Sequence, residues 1–259
     1  MSLIRYIPCL LLKGNGLVKT IKFKNPRYVG DPINTIKIFN EKEVDELVIL
    51  DIEATPNGLE PNYNLLSEIA NECFMPLAYG GGIKQLNQAK RIFDIGIEKV
   101  IINSAAHKDL SLITRIANEY GSQAVVGSID VKKNIFGKYF VVSNSAGTKH
   151  KITPINWLKS LEQAGVGEII ITSVDNEGTW NGLDMELILQ ITSSSHVPVI
   201  AHGGAGNINH LLEAVNTGKA NAVAMGSMVV YQKQNMGVLI NFPDKKDLIY
   251  HANETKKSA

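Results

Sequence analysis

Short apolar runs rich in β-branched residues alternate along this chain with longer segments whose apolar residues recur at helical spacing. The runs occupy residues 6–12, 46–52, 75–80, 99–104, 124–131, 168–174, 197–203 and 222–227. Because they are apolar on both faces, they are typical of parallel strands that are covered on two sides. Eight strand–helix units over about 250 residues predict a (β/α)8 TIM barrel, an α/β fold, with an open doubly wound sheet as the alternative.

The second half of the sequence repeats the first. Residues 45–51 align with 167–173, residues 100–105 with 223–228, residues 7–13 with 126–132, and the pair at 81–82 with the pair at 203–204. The pattern predicts one barrel domain over residues 1–259 that is built from two half-barrel repeats. Within it, a final helix and polar tail are expected over about 244–259.

Composition narrows the function classes. The formal net charge is +1, so no overall basic character argues for nucleic-acid binding. Two cysteines, Cys9 and Cys73, indicate neither a disulfide framework nor a zinc site, and no motif indicates a metal or another cofactor. The N-terminal apolar stretch is too short to span a membrane and lacks a signal-peptide cleavage site. We therefore expect a cytoplasmic protein with no membrane partner.

Two glycine turns mark the expected ligand face, which in a barrel lies at the C-terminal ends of the strands. The residues concerned are Gly82, Asn103 and Ser104 in the first half and Gly203, Gly204 and Ser227 in the second. Glycine lets a ligand approach the backbone, and a following helix N-terminus offers N–H groups to an anion. The pair of turns predicts a phosphorylated small molecule with a phosphate at each end. The alternative is a tight strand–helix connection without a ligand.

Long segments follow the first and fifth runs. Residues 13–32 carry five basic residues. A segment of this length indicates a mobile lid that covers the active face, with a solvated basic loop as the alternative. Residues 132–151 include the alternating stretch "GKYFVV", which predicts a small hairpin or a second lid.

Four carboxylates, Asp51, Asp130, Asp175 and Glu177, fall at the same face. A carboxylate that points inward at the top of a barrel strand is a candidate general acid or base. Asp130 is the strongest candidate because it interrupts an apolar strand, whereas Asp175 fits a turn equally well. In the repeat alignment Leu11 stands opposite Asp130, so the two halves cannot supply a symmetrical pair of acids.

A second set of charges lies at the opposite end of the predicted strands. Arg5, Glu46, Lys99 and Glu168 each stand at or just before the start of a strand. If these side chains point inward, two cations and two anions form a mutually paired ring across the bottom of the barrel. Such a ring is either a structural plug or part of a functional passage.

Together these motifs resemble the cyclase subunit of imidazole glycerol phosphate synthase, over residues 3 to about 240. The matching segments are "IPCL", "VGDP", "DELVILDI", "GGGI", "INSAA", "GSQ", "GEIIITS", the pattern of "GT", "NG" and "D" over 178–184, and "VIAHGGAGN". The resemblance implies a barrel that docks a separate glutaminase at its bottom. Ammonia then passes a charged gate and the barrel interior, and reacts at the top with a bisphosphorylated substrate.

The resemblance also implies roles for individual residues. The charged ring matches the family's ammonia gate, Lys19 matches a mobile-loop lysine, the glycine turns match the phosphate-binding motifs, and Asp130 matches one catalytic aspartate. The other catalytic aspartate is replaced by Leu11. Glu177 stands where the family usually has Asp, and His202 where it usually has Ser.

These departures all fall at the top, while the gate is complete. The pattern resembles a side branch of the family that is thought to pass ammonia to a sugar-amidating enzyme for surface polysaccharide, to which residues 7–13 and 18–34 are also similar. We therefore expect an ammonia-conducting barrel, with a genuine cyclase of histidine synthesis as the alternative. The related sugar-phosphate isomerase barrel is a third, less favoured hypothesis, because it needs two aspartates and no gate.

Overall fold

A computed structural model describes residues 4–244 and residue 248, and it contains twelve strands. They are β1 Arg5–Lys13, β2 Gly16–Ile21, β3 Lys24–Gly30, β4 Leu47–Asp51, β5 Leu77–Gly80, β6 Lys99–Ile102, β7 Val125–Lys133, β8 Tyr139–Ser143, β9 Thr148–Lys149, β10 Glu168–Ser173, β11 Val199–His202 and β12 Ala222–Met225. The helices are α1 Pro32–Glu41, α2 Tyr63–Glu72, α3 Leu86–Asp94, α4 Ser111–Tyr120, α5 Pro154–Ala164, α6 Met185–Thr192, α7 Ile208–Asn216 and α8 Ser227–Val230, with a 3-10 turn at Ser122–Ala124.

Eight of the strands close into a parallel barrel in the order β1, β4, β5, β6, β7, β10, β11, β12. Closure is made by β12 pairing with β1 and by β7 pairing with β10. These eight strands correspond to the eight apolar runs, and each is followed by a helix. The predicted TIM barrel is confirmed, and the doubly wound alternative is wrong because an open sheet would leave two unpaired edges.

Helix starts are well specified by local sequence. Asp31, Asn62, Thr153, Asp184 and Asn207 each cap a helix by accepting a hydrogen bond from a backbone N–H in its first turn. Such caps satisfy donors that have no partner inside the helix. All five lie after barrel strands, so they also fix the connections at the top of the barrel, where the ligand face is expected.

The apolar residues form two separate cores. The larger core lies between the strands and the helices, while a second cluster fills the barrel interior. The interior cluster consists of Ile7, Cys9, Val48, Ala78, Ile101, Val126, Ile170, Ile200, Ala222 and Ala224. Strand alternation produces this arrangement, because residues two apart on one strand share a face.

Two hairpins rise from the top of the barrel. Residues 13–32, expected to be a long loop, form β2 and β3; β2 pairs antiparallel with β1, with Leu11 opposite Val18. The hairpin expected within residues 132–151 is confirmed, since β8 pairs antiparallel with β7 and β9 pairs with β8.

The expected final helix and tail over 244–259 lie outside the described residues, apart from Asp244 and Leu248. Within the described part of the chain, no helix is both long and apolar enough to cross a membrane.

Candidate functional site

The top of the barrel opens into a cavity of about 360 Å³ between the two hairpins. Its floor is formed by inward-facing side chains at the ends of the barrel strands, and its walls by the connections that follow them. The predicted site residues that line it are Leu11, Lys19, Gly82, Asn103, Ser104 and Asp130. The fold therefore brings together the acid, the lysine and one of the two glycine turns.

Asp130 is the central polar group of this cavity. Asn103 Nδ2 donates to Asp130 Oδ2 over 2.8 Å and also to Ser128 Oγ over 3.2 Å. Burial raises the pKa of the Asp130 carboxyl to about 7, although hydrogen bonds from Asn103, Thr172 and Ser128 act in the opposite direction. A carboxyl with a pKa close to neutral is able both to give and to accept a proton at physiological pH.

Leu11 lines the same cavity and is almost fully buried. Leu11 follows Cys9 by two residues on β1, so both side chains point into the barrel. The strand therefore presents an isobutyl group where a second acid would stand. Cys9 offers no replacement, because burial raises the pKa of its thiol to about 12. β1 thus supplies no second carboxylic acid beside Asp130.

Each glycine pair is required by close backbone packing. A Cβ at Gly81 would lie 2.6 Å from the Asp51 carbonyl oxygen, and a Cβ at Gly203 would lie 2.6 Å from the Ser173 carbonyl oxygen. All four glycines of the two pairs also have positive φ. The turns are therefore built alike, and packing accounts for the glycines independently of any ligand.

The two turns differ in the space beside them. Gly82 borders the large cavity, whereas the cavity beside Gly203, Gly204 and Ser227 is about 10 Å³. That volume is roughly the space of one water molecule. In this conformation the second turn does not have room for a phosphate.

The second turn is closed by an ion pair between Lys19 and Glu177. Lys19 Nζ, on β2, donates to Glu177 Oε1 and to the Thr20 carbonyl oxygen, the latter over 3.0 Å. Both residues of the pair are buried. Burial lowers the pKa of Lys19 to about 8.

His202 lies beside the same turn. Its Nδ1 is 3.1 Å from Thr172 Oγ1, and burial lowers its pKa to about 3, so the ring is neutral at physiological pH.

The remaining carboxylates of the top face have local structural partners. Asp51 accepts hydrogen bonds of 2.9 Å from the backbone N–H groups of Glu53 and Ala54. Asp175 accepts from the Lys133 N–H over 2.8 Å. The turn interpretation of Asp175 therefore agrees with its position, and its carboxylate supports the second hairpin.

At the bottom of the barrel the four predicted charges form a closed ring. Arg5 donates to Glu46 and to Glu168, and Lys99 Nζ lies 2.8 Å from Glu46 Oε1 and 3.1 Å from Glu168 Oε2. The glutamates are buried, while the side chains of Arg5 and Lys99 are 27% and 21% exposed. The predicted pairing is confirmed, and the ring lies at the opposite end of the interior core from Asp130.

Several residues of the site were not singled out from the sequence. Ser128 precedes Asp130 by two positions, so strand alternation alone places both on the inward face. Thr172 could be placed beside Asp130 only once the pairing of β10 with β7 was known. The second hairpin also closes the cavity wall, as the Asn144 N–H donates to Ser104 Oγ over 3.0 Å and Ser145 Oγ donates to the Ile52 carbonyl over 3.3 Å.

Comparison with known proteins agrees with this geometry. Residues 5–235 match the family described as Histidine biosynthesis protein. A Pseudomonas aeruginosa protein with the provisional name imidazole glycerol phosphate synthase subunit hisF2 is 54% identical over 244 residues, which cover 94% of this chain and 97% of that protein.

Two further relatives extend the comparison. A Leptospira borgpetersenii protein with the provisional name imidazole glycerol phosphate synthase subunit HisF is 46% identical over 244 residues, or 94% of this chain and 96% of the relative. The imidazole glycerol phosphate synthase subunit HisF of Chlorobium limicola is 38% identical over 232 residues, or 90% of this chain and 92% of the relative. Matches at these identities over nearly the whole barrel show that the chain belongs to the Histidine biosynthesis protein family, among the HisF-type subunits of imidazole glycerol phosphate synthase.

Proposed function

We propose that this barrel docks a glutaminase against its bottom, conducts the released ammonia through its interior, and delivers it at the top to a separate enzyme that amidates a surface-polysaccharide sugar. The observation that carries the proposal is the contrast between the two ends of the molecule. The charged ring at the bottom is complete, whereas the top has Leu11 in place of an acid and one of its two glycine turns closed.

The interior core supports passage of a neutral molecule. Between the ring and Asp130 it is lined by apolar residues, among them the small side chains of Ala78, Ala222 and Ala224. An ammonium ion would lose its hydration in such a lining at a large cost in free energy, while neutral ammonia would not.

The top of the barrel is poorly equipped for the cyclase reaction. General acid–base catalysis contributes a factor of about 10²–10⁴ to a rate. Leu11 cannot take part in proton transfer, and β1 supplies no carboxylic acid in its place, because its other side chains at the cavity are Cys9 and Lys13. The choice of a polysaccharide sugar as the final acceptor rests on the resemblance of residues 7–13 and 18–34 to that branch of the family.

A genuine cyclase of histidine biosynthesis is the second candidate. Asp130 favours it, because a pKa of about 7 suits a group that exchanges protons at neutral pH. The open cavity beside Gly82 and Ser104 favours it as well, since it has room for a phosphorylated ligand.

One pair of assays separates the candidates. Glutaminases with a Cys-His-Glu triad from the same genome are titrated against the barrel by calorimetry, and glutamine hydrolysis is followed in the complex. The barrel alone is then supplied with ammonium salt and the bisphosphorylated substrate of the cyclase. We expect binding and faster glutamine hydrolysis without cyclase turnover. Turnover comparable to that of an ordinary cyclase would establish the second candidate, and the absence of any glutaminase binding would refute the first.

A further inference from the structure

The carboxylate of Glu177 is surrounded by hydrogen-bond donors from the first hairpin, β2–β3. Besides Lys19 Nζ, Thr20 Oγ1 donates to Glu177 Oε2 over 3.1 Å, and the Phe23 N–H donates to the same oxygen over 3.4 Å. An ammonium, a hydroxyl and a backbone N–H are the groups that proteins use to hold a phosphate. Here they hold a carboxylate of the same chain.

Backbone contacts lock this arrangement. The Lys22 N–H donates to the Glu177 carbonyl oxygen over 2.9 Å. A Cβ at Gly178 would lie 2.5 Å from the Thr20 carbonyl oxygen, so the hairpin rests directly on the Glu177–Gly178 peptide. The hairpin is therefore held against the second glycine turn without any ligand.

The end of the site beside Gly82 and Ser104 is open and has unused hydrogen-bonding groups. The cavity beside Gly82 remains open, and the Ser104 hydroxyl accepts from the Asn144 N–H, which leaves its own O–H free to donate to a ligand. Asn103 Oδ1 is a buried acceptor without a hydrogen-bond partner. A hydroxyl group of a ligand would satisfy this acceptor, whereas an anion would not.

We infer that Glu177 occupies the position of a second anionic group, so that this barrel binds hydroxyl-bearing small molecules with a single phosphate, held at the Gly82–Ser104 end. The inference rests on the proposed function, in which the top of the barrel retains a ligand site but not the cyclase reaction. Glutamate is one methylene longer than the aspartate that is usual at this position, and here its carboxylate already accepts hydrogen bonds from the first hairpin. A second phosphate would have to displace Lys19, and the hairpin that carries it, from this carboxylate.

The charges of the two hairpins agree with an anionic ligand. Residues 13–30 and residues 131–151 each contain five basic residues and no acidic residue. Of these residues Lys13 and Lys19 line the cavity; Lys19 is paired with Glu177, whereas Lys13 is exposed at the cavity and can attract an anionic ligand.

Calorimetric titration of the isolated barrel with ribose 5-phosphate and with ribulose 1,5-bisphosphate tests the inference. For the wild-type protein we expect the two dissociation constants to agree within about threefold. In Glu177→Gln, which keeps the size of the side chain but removes its charge, we expect the bisphosphate to bind about tenfold tighter than in the wild type, with ribose 5-phosphate unchanged. Glu177→Asp, whose shorter side chain opens the turn, provides a second variant in case the first folds poorly.

Glu53→Gln is the matched control, because Glu53 is a carboxylate of the same cavity on the side away from the second turn. It should leave the ratio of the two affinities unchanged. Binding of the bisphosphate to the wild type more than about tenfold tighter than the monophosphate, failure of both to bind, or an unchanged ratio in both Glu177 variants would each overturn the inference. The titrations use neither glutaminase nor ammonia, so these outcomes are independent of the assays that test ammonia delivery.

Discussion

Asn103 and Asp130 are joined by a hydrogen bond of 2.8 Å across two neighbouring strands of the barrel, β6 and β7. The bond orients Asp130, which is one of four carboxylates that line the top cavity, with Asp51, Glu53 and Glu177. It does not restore the ordinary acidity of this carboxyl, because burial outweighs the hydrogen bonds and raises the pKa to about 7. The protonation state of Asp130 therefore changes within the physiological pH range.

This pKa predicts how stability depends on pH. Relative to its ordinary value of 3.8, the folded carboxyl holds its proton more tightly, so its contribution is complete below about pH 4 and is lost as pH rises through about 7. Asp130→Asn should therefore gain stability relative to the wild type as the pH is raised from 4 to 8, by on the order of a few kcal/mol. Urea denaturation at a series of pH values measures the difference. Asp94→Asn, at an exposed position on α3, should show no such trend.

Glu46→Ala should be strongly destabilising, because it removes the partner shared by Arg5 and Lys99 and leaves Glu168 alone to balance both cations. Breaking a buried ion pair typically costs about 3–5 kcal/mol, and the partial exposure of both cations reduces the expected loss to just below this range, roughly 2–3 kcal/mol. Denaturant unfolding provides the measurement. Glu72→Ala, which removes an exposed contact of 3.9 Å with Lys37, should cost less than about 1 kcal/mol. Equal losses in the two variants would contradict a tightly paired ring.

The role of the same ring in ammonia transfer needs a milder change. Lys99→Met retains the length of the side chain and removes one charge from the ring. If the ring is a gate, glutamine hydrolysis in the glutaminase complex should continue while less of the ammonia reaches an acceptor at the top. Comparing glutamine consumed with product formed gives the coupling ratio. A ratio equal to that of the wild type would assign the ring a purely structural role.

Leu11→Asp should restore part of the cyclase chemistry. It returns an acid to the cavity that contains Asp130, and general acid–base assistance is worth about 10²-fold or more in rate. Ammonia-dependent turnover of the bisphosphorylated substrate should therefore rise well above the wild-type level, to the extent that the substrate is accommodated beside Glu177. Leu11→Asn, with a similar size and no acid, should show no increase. An increase in both variants would mean that removal of the leucine, rather than addition of an acid, is responsible.

A stack of three rings ties the second hairpin to the barrel, and it should be sensitive to acid. His107 lies between His150 and Trp157, with ring centroids 3.6 Å and 4.0 Å away and nearly parallel planes. Burial, and secondarily the charge of His150, lower the pKa of His107 to about 4. Its stabilising contribution is thus present above its ordinary pKa of 6.5 and is lost as pH falls through about 4.

Fluorescence of Trp157 reports this transition when Trp180, the other tryptophan, is replaced by phenylalanine. We expect the emission to change as the pH falls through about 4, where the folded-state ring takes up its proton, and His107→Phe, which retains a stacking ring, to abolish the change. Persistence of the same titration in His107→Phe would show that another group is responsible.

Gly204→Ala tests the packing role of the second glycine turn. A Cβ there would lie 2.1 Å from the Gly182 carbonyl oxygen, at a backbone φ of +114°. We expect a loss of more than about 2 kcal/mol, measured by thermal or denaturant unfolding in the absence of any ligand. Gly96→Ala, with a φ of +105° and no atom within 4 Å of the added Cβ, should lose only about 1 kcal/mol from the backbone strain. Similar losses at both positions would indicate that strain, not contact, requires the glycine.

The sequence by itself determined the barrel, its order of strands and helices, and the ring at its base. Hydrophobic periodicity is a local property, so each strand and helix can be recognised from its own residues. Eight alternating strand–helix units are then compatible with few topologies. Once the strands are parallel and closed, residues at equivalent strand starts must converge. For this reason Arg5, Glu46, Lys99 and Glu168 could be expected to pair although they are far apart in the chain.

Only the tertiary structure decided which parts of the top are open. Lys19 and Glu177 are 158 positions apart and lie in segments without strong periodicity, so their pairing depends on how the β2–β3 hairpin folds over the barrel. The same holds for the stacking of His107 on His150, which requires the second hairpin to return beside α5. The two glycine turns look equivalent in the sequence because each has a pair of glycines after a strand, and their local backbone is indeed alike. They differ in space because the side chains that approach each turn come from distant segments, and local pattern carries no information about those contacts.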